Sequence, residues 1–213
     1  MRQRVDSQYA EPLPVRLKRA AVSLFVVLVV AGLVGSALAP LLLVRAPLLL
    51  IALAPDARHV ALAVGSAPLV ELVALAVLRR ALFSVAVFGL GAAYGDFAVT
   101  WVERRSARMG RLFRALERLF ARWGAPILLL LPFGSLCVLA GAARTRFIAF
   151  LSATLLGHTL WVGATYYIGA LLSGLSDRFL GFVSDHVWEC TIICVGLVLA
   201  QQLIARRRAR LRA

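Results

Sequence analysis

Lysine is all but missing from this chain: of its 24 basic residues, only Lys18 is not an arginine. Acid is scarce too, with ten Asp and Glu in 213 residues against a formal net charge of +14. There are only three cysteines, Cys137, Cys190 and Cys194, each inside an apolar run. Cys190 and Cys194 share a helix face, but in so apolar a setting they read as small packing residues and imply no disulfide framework. No His/Glu zinc motif, paired-acid motif or GxSG motif occurs; Gly134-Ser135 with His158 is no more than a sketch of an intramembrane serine protease. The chain therefore reads as not an enzyme, and no cofactor is implied.

What fills the space is hydrocarbon. Hydrophobic residues make up 62% of the chain and the mean hydropathy is +0.87, whereas soluble domains are about 45–50% apolar. Several stretches approach or exceed 18 residues without a charge, the mark of membrane-crossing helices. The arginines cluster at the ends of these stretches, where topology and anionic headgroups explain them without nucleic acid. Residues 21–39 end in Ala37-Leu38-Ala39, like a signal-peptidase site. The uncharged run from Ala20 to Val44 is too long for a signal core, and we read it as a retained first helix.

The expected order is a basic cytoplasmic tail at 1–19, a first membrane helix at 20–44 and a greasy segment at 45–66 split by Pro55-Asp56-Ala57-Arg58. A connecting helix at 68–80 ends at Arg79-Arg80, and a second membrane helix follows at 81–102. Then come a basic linker at 103–123, a second split segment at 124–143 (GAPILLLLPFGSLCVLAG and on), and a helix at 147–172. A polar external loop at 173–185, a last helix at 186–205 and a basic tail at 206–213 complete the chain. The core of this arrangement is 45–172.

Charge counting decides whether the split segments cross. If both enter and return to the same side, with the N-terminus in the cytoplasm, 19 basic residues lie inside and 5 outside. If both span, the seven arginines of 104–122 fall outside and the division, with Arg58 to Arg80 moved in, is 15 against 9. The positive-inside bias favours the first arrangement. The expected fold is an all-α integral membrane protein with about four transmembrane helices and two re-entrant helical hairpins, both termini cytoplasmic, in the cell inner membrane. Broken helices in hydrocarbon leave unpaired N–H and C=O groups, so such hairpins need protein or water around them. Each half reads greasy–Pro–greasy followed by a helix with Gly91 or Gly157 and an aromatic ten residues later, Trp101 or Tyr167. Entered from opposite sides, the halves form an inverted repeat.

Several residues are candidates for function. Asp96 lies about 9 Å inside the inner end of the second helix, where a carboxyl serves either as a proton carrier or as a hydrogen-bonded strut. Asp56 stands at the break of the first hairpin, as a protonatable acid paired with Arg58 or as a helix cap. Glu71 reads as interfacial. His158 is a packing residue or a relay for Asp96. Arg144 and Arg146 follow the second hairpin and are either headgroup contacts or positive-inside flanks, and Arg58 is a third candidate headgroup contact. Gly91-xxx-Gly95, Gly141 and Gly157 permit close helix packing. In the linker, Leu112, Phe113, Leu116, Leu119, Phe120 and Trp123 share one helical face opposite arginines, which suits an anionic lipid surface or a packing helix.

The order of these pieces resembles the DedA family, also called the VTT or SNARE-associated Golgi family. The matching residues are Gly91-Ala92-Ala93-Tyr94-Gly95-Asp96, Phe120-Ala121-Arg122-Trp123-Gly124, Ala140-Gly141 with Arg144 and Phe150 following, then Gly157, Trp161 and Gly169, over roughly 41–172. The resemblance implies movement of phospholipid or polyprenyl-phosphate headgroups across the bilayer, in several members tied to the proton gradient. The sequence departs from the family pattern at Leu131-Pro132-Phe133-Gly134-Ser135, where the family commonly carries arginines, and at Pro55-Asp56, where it has Pro-Gly-Glu. The function expected is that of a lipid transporter or scramblase; the alternative is a non-transporting structural or assembly protein of the envelope. The partners expected are membrane lipids and not nucleic acid, and self-association into a homo-oligomer is left open.

Overall fold

The computed structural model describes residues 14–105, 123–124 and 126–210, and they are almost wholly helical. In chain order the helices are α1 (Val15–Ala37), α2 (Ala39–Arg45), α3 (Pro47–Leu53), α4 (Ala57–Leu62), α5 (Leu69–Arg105), α6 (Gly134–Ala142), α7 (Phe147–Leu171), α8 (Ser173–Asp185) and α9 (Val187–Arg210). Among the described residues, four segments are long and apolar enough to cross a membrane: Val15–Ala37, Leu69–Gly95, Phe147–Leu171 and Val187–Ala205. This is an all-α, multi-pass membrane architecture.

Prolines set the breaks. The apolar run from Ala20 to Val44 is not one helix: α1 ends at Ala37 and α2 restarts at Ala39, because Pro40 has no N–H to offer the carbonyl a turn earlier. Ala46, before Pro47, is pushed to φ −153°, ψ 69°, and Ala54, before Pro55, to φ −139°, ψ 79°. Residues preceding proline are held out of the helical region in this way. Residues 126–130 are helical, Leu131-Pro132-Phe133 are not, and α6 begins at Gly134. Both greasy segments are thus broken at the prolines that interrupt them in sequence.

Two departures from the sequence reading stand out. The connecting helix and the second membrane helix are one continuous helix, α5, with no interruption at Arg79-Arg80. No proline or glycine occurs between Leu69 and Phe88, so nothing local stops it. Residues 173–185 form α8 instead of a loop. Its Gly, Ser and Asp content suggests a turn, yet Leu175, Phe179, Phe182 and Val183 recur at helical spacing and Val183 is buried.

The chain divides into two compact units. One comprises residues 1–26 and 81–157. Its core joins Val87, Leu128, Cys137, Leu139, Ala140, Phe150 and Ala153, with Phe88 stacked on Phe150 at a centroid distance of 4.3 Å. The other comprises residues 27–80 and 158–213. Its core joins Leu42, Leu43, Leu50, Ile51, Val60, Ala63, Leu72, Ala76 and Val162.

Candidate functional site

Three polar side chains of the second unit, His59, Arg79 and Arg80, gather at the break between α3 and α4. A helix end leaves its last carbonyls without intrahelical partners, and in hydrocarbon each such orphan costs several kcal/mol. Here four consecutive carbonyls receive side-chain donors. Arg79 donates from Nε to the Ala52 carbonyl at 3.0 Å and from Nη2 to that of Leu53 at 3.2 Å. His59 Nδ1 lies 2.7 Å from the Ala54 carbonyl, which also accepts from the Asp56 amide at 2.8 Å. Arg80 Nε donates to Pro55 O at 2.8 Å. Arg79 Nη2 reaches further, to the Leu28 carbonyl of α1 at 2.6 Å. The break is fastened at four successive carbonyls, and the fasteners come from 25 to 27 residues away in sequence, His59 excepted.

Placement makes these arginines unusual. Arg79 is the eleventh residue of α5, about 15 Å along it at 1.5 Å per residue, and it is buried. A hydrocarbon core is about 30 Å thick, so the pair sits deep within a helix of crossing length. Ionisable residues at such depth face protein or water and mark functional or structural polar sites. The sequence reading placed Arg79 and Arg80 at a helix end, as flanking charges. The signal it passed over was an arginine doublet inside a run that lacks any helix breaker.

Asp56 occupies the N-cap position of α4 at φ −69°, ψ 153° without making a side-chain cap hydrogen bond. Its carboxylate instead pairs with Arg58 at 3.4 Å, both side chains being more than half exposed. The pairing of Asp56 with Arg58 seen in the sequence is therefore present in space. His59 Nδ1 is 4.0 Å from the same carboxylate. Arg80 lies within electrostatic reach of Asp56, and buried His158 within reach of Arg80. Glu71 is exposed in the first turn of α5.

The same unit uses small residues to let helices approach the broken segment. A methyl group at Gly35 would lie 2.7 Å from the Leu53 side chain, and one at Gly169 would lie 2.6 Å from the Ala61 carbonyl.

In the first unit the second broken segment is held by backbone proximity. A methyl at Gly141 would collide with the Phe88 carbonyl, and one at Gly91 with that of Val138. At Gly95 it would lie 2.6 Å from the Ala142 side chain, and at Gly157 2.7 Å from the Leu129 carbonyl. The helix-packing glycines named from sequence thus all face the second segment or the helix it packs on. Arg144 closes α6 in the left-handed region, φ 51°. The Arg144 amide donates to the Gly141 carbonyl at 3.0 Å and the Thr145 amide to that of Ala140 at 3.1 Å. This is a Schellman ending, with arginine where glycine is usual. Arg144 and Arg146 are both exposed. Asp96 lies on the backbone of α5, but its side chain falls outside the described residues, as does the linker from 106 to 122. The structure therefore brings Asp56, Arg58, Arg80 and His158 to one locality in the second unit, and places Arg144 and Arg146 in the first unit.

Chemically, the break offers charge without a nucleophile or a metal cage: among the described residues no group of three His, Cys, Asp or Glu could hold a metal ion. No family model, curated protein or solved structure matches this chain.

Proposed function

We propose that this protein moves the headgroup of a membrane lipid, a phospholipid or polyprenyl phosphate, across the bilayer, and that it is a divergent DedA-family member. The observation that carries the reading is the fastened break between α3 and α4: four successive carbonyls capped by side chains, two of them deeply placed arginines. An anchor needs no such polar centre, whereas a path for a charged headgroup does. In this reading both broken segments enter the membrane and return, as an inverted repeat. Taking Arg79 and Arg80 off the flanks leaves Arg45, Arg58 and Arg178 as the outside arginines, which sharpens the positive-inside bias. Asp56 and Asp96 are the candidate proton-coupling groups, and Arg144 and Arg146 the candidate inner headgroup contacts.

The competing reading is a structural or assembly protein, and one observation favours it: Nε and Nη2 of Arg79 donate to the protein's own carbonyls. Reconstituted liposomes decide between them. Movement of fluorescent phospholipid above that of empty vesicles, altered by a pH gradient and reduced in Asp96→Asn, is the expected result. No movement above empty vesicles, with well-folded protein, would leave the structural reading.

A further inference from the structure

We propose that the break between α3 and α4 is a phosphate-binding site in which Asp56 acts as a built-in competitor for the ligand. The ligand class is a phosphate ester carried on a lipid, and the proposal rests on the transport reading only for that lipid source.

Three guanidiniums, Arg58, Arg79 and Arg80, meet one carboxylate, Asp56, at this break, which leaves a surplus of positive charge. Their duties differ. Arg79 is spent on Ala52, Leu53 and Leu28 carbonyls and is a positioning residue. Arg80 anchors only its Nε, on Pro55 O; among the described residues its two terminal nitrogens take no protein acceptor. Among the described residues Arg58 engages Asp56 alone, through Nη2, in a loose and exposed pair at 3.4 Å.

The Asp56 carboxylate therefore already sits within the influence of two guanidiniums, Arg58 by contact and Arg80 by field. It occupies the place of an anion, but weakly: it caps no helix amide and more than half of its side chain is exposed. A phosphate offers more oxygens and more charge, and guanidinium groups bind it in a two-pronged manner. Arriving phosphate displaces Asp56, and Asp56 returns as it leaves. A site that must release its ligand gains from a resident anion that refills it.

The test uses the full-length chain in detergent and three soluble probes: short-chain phosphatidic acid, inorganic phosphate, and short-chain diacylglycerol as a phosphate-free control. Affinity is read by calorimetry. Short-chain phosphatidic acid should bind and diacylglycerol should not. Asp56→Asn should tighten phosphatidic acid binding about threefold or more, and Arg58→Gln should weaken it by a similar factor, the scale of an exposed charge pair. Neither Asp56 nor Arg58 itself donates to a carbonyl of the break, and both variants should fold, which thermal unfolding of each checks. Arg80→Lys should retain part of the binding that Arg80→Gln loses. A merely structural Asp56 would give no tightening. Inorganic phosphate binding as well as phosphatidic acid would support the site with free phosphate as its ligand.

Equal binding of diacylglycerol, or unchanged affinity in both Asp56→Asn and Arg58→Gln, would overturn the site. If vesicle transport is absent while these affinity shifts persist, the transport reading falls and the site stands. If transport persists and the shifts are missing, the site falls alone.

Discussion

Replacing Arg79 by methionine keeps a long side chain and removes the guanidinium. Two carbonyls at the end of α3, those of Ala52 and Leu53, lose the donors shown for them, while the Leu28 carbonyl lies within α1 and keeps its place in that helix. An unsatisfied buried acceptor costs about 1–3 kcal/mol, so the two together predict a loss of about 2–6 kcal/mol. The cost of carrying a cation in the bilayer does not offset this much, because the unfolded but inserted chain carries the same arginine. The loss should also be local. Hydrogen exchange in bicelles should rise at residues 52–60, with the N-terminal part of α1 unchanged, and the unfolding free energy from steric trapping should fall by the stated amount. Arg79→Lys should lie between wild type and Arg79→Met, since an ammonium retains charge and donors but not the fork. A change below about 0.5 kcal/mol in Arg79→Met, the level of an ordinary surface substitution, would refute the view that this arginine fastens the break.

Other consequences follow from the same packing. Gly141→Ala places a methyl against the Phe88 carbonyl and should destabilise the fold by about 1–3 kcal/mol. Gly163→Ala meets nothing within 4 Å and should be neutral or stabilising by up to about 1 kcal/mol; thermal unfolding of both checks the contrast, and equal effects would contradict it. Arg144→Gly relieves a left-handed arginine and should stabilise the chain by about 1 kcal/mol. Paired with lipid-movement assays, that variant separates packing from headgroup contact, because stability rises while a contact role requires activity to fall.

What was legible in the sequence was local. Pro55 and Pro132 break their helices because a missing N–H and a crowded preceding residue act within a turn; the same cause acts at Pro40, which the sequence reading had left inside one helix over 20–44. The pairing of Asp56 with Arg58 is equally local, two residues apart. The role of Arg79 and Arg80 was hidden because their partners are brought near only by folding, and because an arginine doublet beside apolar sequence looks like a flank. Helix α8 was hidden by composition: Gly174, Ser176 and Asp177 suggest a turn, while the spacing of Leu175, Phe179, Phe182 and Val183 is helical. The glycines were legible as packing residues, but not the surfaces they meet.

The most direct test asks which face of the bilayer each end of a broken segment reaches. Single cysteines at Arg45, Ser66, Trp123 and Arg146, all exposed positions, in a chain with the native cysteines replaced, would be treated with a membrane-impermeant thiol reagent in oriented vesicles. The account predicts labelling of positions 45 and 66 from outside only, and of 123 and 146 from inside only. Labelling of either pair from opposite faces would mean that the segment crosses, and would contradict it.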